Sequence, residues 1–171
     1  SKDELTNDSV VYDNNINLSY FNVENGRMHF RTDMGYGTTT ANSNYIRSEF
    51  RELYVSNNSP DCSTSDTDTS WYLVDNRTNT TEHELTAQLK IEEYPNITGQ
   101  DPKVVLGQIH GWKINQALVK LLWEGGNKPI RVILNSDFER NNADCDHCEP
   151  FSVTLGTYSA NEEWRYTIRA N

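Results

Sequence analysis

Two short runs in this sequence combine residue types and spacings that point to chemistry: Arg47-Ser48-Glu49-Phe50-Arg51 and Gln108-Ile109-His110. In an extended strand, alternate side chains share a face. Arg47, Glu49 and Arg51 then line one face at intervals of about 7 Å, with Ser48 and Phe50 on the other. Each guanidinium presents planar donors that can grip a carboxylate at two points, and Glu49 between them can hold both arginines in fixed rotamers. In the second run Gln108 and His110 share a face, and Ile109 points to the core. Gly107 and Gly111 flank them, and a glycine in a strand lets another group approach the backbone closely. An imidazole titrates near neutral pH and suits proton transfer. Cationic donors, a carboxamide and an imidazole together suit an anionic sugar. Each piece also has an ordinary role: an Arg-Glu-Arg face serves as a solvated salt-bridge ladder, and a strand histidine as a satisfied structural residue.

The elements that must position these groups read as strands separated by turns. Residues 19–32 form a hairpin pair around Glu24-Asn25-Gly26, a turn sequence that supplies the positive φ values a tight hairpin needs. The stretch 45–55 alternates in character and is read as a strand. Further strand candidates are 83–94, 103–112, 117–126, 128–136, 151–159 and 164–171, with a Gly-Gly-Asn turn joining 117–126 to 128–136. Helical periodicity is weak throughout, with one short candidate at 81–84. Repeated short strands with turn signals predict an all-β sandwich or jelly roll. No internal repeat or linker is visible, so residues 1–171 are expected to form a single domain.

Composition narrows the class of partner. The 171 residues carry a formal charge of −10, and aromatics make up 11% of them. So acidic a chain is a poor partner for nucleic acid, whose affinity comes mostly from neutralised phosphates. A local basic cleft can still bind an anion. No apolar run is long enough to cross a bilayer, and membrane binding is not expected. The opening SKDELTNDS reads as a mature or engineered start, compatible with a removed signal, and the expected location is secreted or periplasmic. Of the three cysteines, Cys145 and Cys148 sit close together in DCDHCEP, and Cys62 lies apart in a Ser/Thr/Asp-rich loop. A zinc site would need a second ligand pair at suitable spacing, and none is visible. A local Cys145–Cys148 disulfide in an exported protein is the expected state.

At these residues the chain resembles the alginate lyases of polysaccharide lyase family seven. The family motif R-(S/T)-E-x-R matches Arg47-Ser48-Glu49-Phe50-Arg51, and Q-(I/V)-H matches Gln108-Ile109-His110. NSDFER at 135–140 and LGTY at 155–158 share the family's character. The family's third motif, Y-F-K-A-G-x-Y, carries its catalytic tyrosine and is not found before the sequence stops at WRYTIRAN. No tyrosine here is assigned that role. The expectation is a companion C-terminal polypeptide that carries the motif, with the final strands of the jelly roll absent from this chain.

The resemblance implies a concanavalin-like β-jelly roll of two antiparallel sheets and a β-elimination on alginate or a related acidic polysaccharide. The C5 proton of a uronate is barely acidic while the neighbouring carboxylate keeps its charge. Arg47 and Gln108, with His110 in some poses, would bind that carboxylate, and one well-placed donor of this kind is worth on the order of 3 kcal/mol. His110 is the candidate base. Glu49 would orient the arginines, Arg51 would bind a neighbouring uronate, and Lys120, a polar break in an apolar strand, would line the cleft or remain a surface lysine. Arginine does the neutralising, so no metal or organic cofactor is expected. Isoleucine at position 109 accompanies activity on guluronate-containing blocks in the family. Trp112, Tyr45 and Trp164 are candidates for stacking on sugar rings, with core packing as the ordinary role of each. The competing classes are a non-catalytic carbohydrate-binding module on the same fold and a glycoside hydrolase. The latter needs a carboxylate pair, and neither Glu49 with Glu52 nor Glu92 with Glu93 shares a strand face.

Overall fold

The computed structural model describes residues 17–33, 45–52, 54, 70–110, 117–135 and 150–171. Eight strands are described: β1 (Phe21–Glu24), β2 (Arg27–Phe30), β3 (His83–Leu89), β4 (Val104–His110), β5 (Ala117–Trp123), β6 (Pro129–Asn135), β7 (Pro150–Thr157) and β8 (Trp164–Ala170). Every pairing is antiparallel, and no helix occurs among the described residues. The fold is all-β, as a β-jelly roll requires. The chain divides into two compact units, Ser1–Cys62 and Ser63–Asn171.

In the first unit β1 and β2 form the expected hairpin. Glu24 pairs with Arg27 across a two-residue turn, and Asn25 and Gly26 have φ values of 52° and 72°. Two consecutive positive φ values give the turn whose twist matches that of the flanking strands, which is why Asn-Gly occupies it. Phe21, buried, meets Phe30 and Phe50 with ring centroids 5.2 Å away in both cases, and Phe30 and Phe50 lie edge-to-face at 4.8 Å.

The second unit holds two sheets, β3-β8 and β4-β5-β6-β7. Alternation decides which side chains face inward. Leu121 and Trp123 of β5, Ile130 of β6 and Trp164 of β8 join Ile91 in the buried cluster, and Leu89, Val104, Leu106, Val132, Tyr158 and Tyr166 pack against it. Trp123 and Ile130 are wholly buried. The Trp123 indole donates to the Tyr158 carbonyl at 2.9 Å, and the Tyr158 ring stacks on Trp164 at 4.6 Å. Removing this much apolar surface from water is the main force holding the sheets together.

The segment before β3 is fixed by a buried charge. The Asp75 carboxylate, 1% exposed, accepts from Arg77 Nε at 2.8 Å and from the Arg77 backbone N–H at 3.0 Å. The Arg77 guanidinium also donates to the Ser70 carbonyl at 2.6 Å. This hydrogen bonding from Arg77 holds the Asp75 carboxyl well below the usual carboxylate range against the opposing cost of burial. The short helical stretch expected at 81–84 is not formed. β3 begins at His83, because Glu84 pairs with Arg169 of β8 and its carboxylate accepts from Arg169 Nε at 2.6 Å.

Candidate active site

The arginine-bearing segment 45–52 makes no strand ladder among the described residues, unlike the strand expected from its alternation. The alternation survives nonetheless, held by side chains. Ser48 Oγ donates to the Tyr20 carbonyl at 2.9 Å, and Phe50 packs its edge on Phe21 and Phe30. With Ser48 and Phe50 anchored, Arg47, Glu49 and Arg51 stay exposed. Glu49 Oε1 accepts from Arg51 Nε at 2.9 Å and Nη2 at 2.6 Å, and lies 3.9 Å from Arg47 Nη1. One carboxylate thus neighbours both guanidiniums, and the closer pairing leaves Arg47 the more loosely held.

In the second unit the β4–β5 register sets the remaining groups. Cross-strand partners project to the same side of a sheet. Gln108 pairs with Lys120, Lys120 with Ile133, and Ile133 with Ser152. These four form a row on the sheet face opposite the core, since Leu121, the next residue along β5, belongs to the buried cluster. Ile109 pairs with Val119 on the inner side. His110, two residues from Gln108 on the same strand, is exposed. A carboxamide and an ammonium are therefore presented by the outer side of two adjacent strands, and the exposed imidazole of His110 follows them past a second register shift between Ile109 and His110.

The same face carries Arg131, the register partner of Leu122, which sequence reasoning did not single out. Its guanidinium grips Glu124 at two points, 2.8 and 2.6 Å. That pairing lowers the Glu124 carboxyl and raises Arg131. A cation so held is less available to a ligand than Lys120. Sequence reasoning also missed the device that orients Gln108. The register skips Leu106 between Val105 and Gly107, a β-bulge. An isolated glycine within an apolar strand was its available signal.

Trp164 is buried in the core and Tyr45 is 80% exposed, so of these two stacking candidates Trp164 serves packing. Trp112, Cys62, Cys145 and Cys148 lie outside the described residues. No group of three or more His, Cys, Asp or Glu among the described residues is arranged to hold a metal ion.

A family profile described as alginate lyase matches residues 1–171. The chain belongs to the alginate lyase family. No curated protein and no solved structure matches it. Membership supports polysaccharide lyase activity on alginate. For an alginate lyase, the groups just described are of the required kind, because each repeating sugar of the substrate carries a carboxylate.

Proposed function

We propose that the protein is an alginate lyase of polysaccharide lyase family seven that cleaves the 4-O-glycosidic bond by β-elimination, with Arg47, Gln108 and His110 as its catalytic residues. The observation that carries this is the outward row of Gln108 and Lys120 beside exposed His110, in a chain of this family that also bears the Arg47-Ser48-Glu49-Phe50-Arg51 motif.

Arg47 and Gln108 donate hydrogen bonds to the C5 carboxylate and stabilise the second negative charge that develops when C5 loses its proton. His110 takes that proton. The electrons left on C5 form the C4=C5 double bond. O4 departs with the bonding pair and takes a proton from a tyrosine hydroxyl, the role filled by the third motif in the resembled family. Positioned acid–base groups contribute typically about 10² to 10⁴ in rate. Arg51 and Lys120 bind the carboxylates of neighbouring sugars, and Glu49 orients the arginines. Ile109 faces inward and touches no sugar, so the guluronate preference attached to it rests on resemblance alone. The working location is secreted or periplasmic, where the polymer is found.

The test is to mix the protein with alginate and follow the ultraviolet absorbance of the new C4=C5 bond. A rise in absorbance with new reducing ends is expected. Reducing ends without absorbance would mean a hydrolase. Binding with neither would mean a carbohydrate-binding module. Separate guluronate and mannuronate blocks decide the preference.

A further inference from the structure

We propose that Tyr166 is a positioning residue for this reaction: its hydroxyl pins the β4 bulge that turns Gln108, two residues before His110, onto the outer face of the sheet. The proposal rests on the roles given to Gln108 and His110 above.

Strand β4 begins with Val104 and Leu106 packed on the core. Unbroken alternation from these two residues would carry Gln108 and His110 inward and Ile109 outward. That arrangement would bury a carboxamide and an imidazole in an apolar layer, at the cost of their hydration. The structure has the opposite arrangement. Leu106 has no register partner on β5, and pairing resumes at Gly107 with Leu121. A bulge leaves its extra residue unpaired in the ladder and reverses the parity of the residues beyond it. Gln108 accordingly pairs with Lys120 on the outer side, and Ile109 with Val119 on the inner side.

Something must satisfy the extra residue, and the group that does so comes from the facing sheet. Tyr166 of β8 donates its hydroxyl to the Leu106 carbonyl at 2.7 Å. Its ring packs against the buried cluster, 6.0 Å from Trp164. Burial raises the phenol above its ordinary value, so the hydroxyl stays a donor across the working pH range. Gly107 makes room for it. A Cβ at Gly107 would stand 2.6 Å from the Tyr166 hydroxyl oxygen and 3.1 Å from two ring carbons. No side chain fits there while the hydroxyl bond is made. The absent side chain and the hydroxyl are thus two halves of one contact, placed one residue before Gln108.

The experiment compares the parent protein with Y166F, G107A and the Y166F/G107A double variant, by alginate kinetics and by amide hydrogen exchange. In the parent, the amides of β4 that point to β5 should exchange more slowly than those on its other edge. Y166F should lower kcat by about tenfold to a hundredfold, the range expected of a small misplacement of reacting groups, with KM little changed. A loss confined to kcat marks an interaction needed in the transition state rather than in binding. Exchange should quicken at the β4 amides and not at those of β6. G107A should cost more in the parent than in the Y166F background, where its nearest clash is gone. A Y166F variant that melts lower but keeps the parent kcat and KM would make Tyr166 purely structural and overturn the proposal, as would β4 exchange unchanged by Y166F or an equal cost of G107A in both backgrounds. If Q108A and H110A themselves leave kcat unchanged, the fault lies in the roles proposed for those residues.

Discussion

The two charged runs occupy their places by different means. In the first unit Arg47, Glu49 and Arg51 are held by a few side-chain contacts: one hydroxyl on a carbonyl, one phenylalanine edge and one shared carboxylate. In the second, Gln108 and Lys120 are held by a four-stranded ladder with a bulge. A ladder fixes the backbone itself, and neighbouring strands resist its displacement. Side-chain anchors fix a segment only as well as the rotamers that make them. The arginine face should therefore be easier to disturb at a distance than the β4 face.

The largest effects belong to the groups placed nearest the reaction. H110A and Q108A should each lower kcat by roughly 10² to 10⁴ while circular dichroism stays that of a folded β protein. Parent activity in either variant would remove that residue from the mechanism. R47K comes next. Lysine keeps the charge but loses the two-point donor geometry, so kcat/KM should fall by about a hundredfold, close to the loss in R47A. Full activity in R47K would show that charge alone suffices.

A matched pair of milder substitutions bears directly on the contrast. F50A removes two aromatic contacts and should cost roughly 1–2 kcal/mol of stability. I130V, at a wholly buried position, should cost about 1 kcal/mol. Thermal melts should thus move similarly, whereas kcat/KM should fall about tenfold only in F50A. Equal losses of activity would mean that the arginine segment is no more delicate than the ladder.

The smallest effect is on acid stability. Glu124 and Asp75 both have folded-state pKa values below their ordinary values of 4.5 and 3.8. A carboxyl lowered in the folded state stabilises the protein fully above its unfolded pKa and loses that contribution as pH falls through the folded value. Melting temperature should therefore hold steady near neutrality and drop as pH falls below about 4.5. E124Q should flatten the upper part of that drop, and D75N the lower part. An unchanged profile in both would assign the acid sensitivity to other groups.

Much of the architecture was legible in the residue pattern, because strand signals are local. Asn25-Gly26 can hardly be anything but a tight turn, and β4 to β8 lie within a few residues of the segments read from alternation. The segment 45–52 misled, since alternation is necessary for a strand but does not supply a partner. Residues 81–84 misled for the converse reason: a weak local preference gave way to cross-strand pairing between Glu84 and Arg169. Lys120 was only a polar interruption until the register placed it opposite Gln108.

By itself the sequence determined the class of fold, the turn at Asn25-Gly26 and the identity of the groups able to meet an acidic sugar. These come from single residues and short periods, which neighbouring atoms in the chain enforce. Tertiary structure alone decided how β4 turns Ile109 inward and Gln108 outward while Val104 and Leu106 also pack on the core. That choice turns on one extra residue, Leu106, whose carbonyl is satisfied by a hydroxyl 60 positions away in sequence, and no local pattern can encode a partner that only packing brings near.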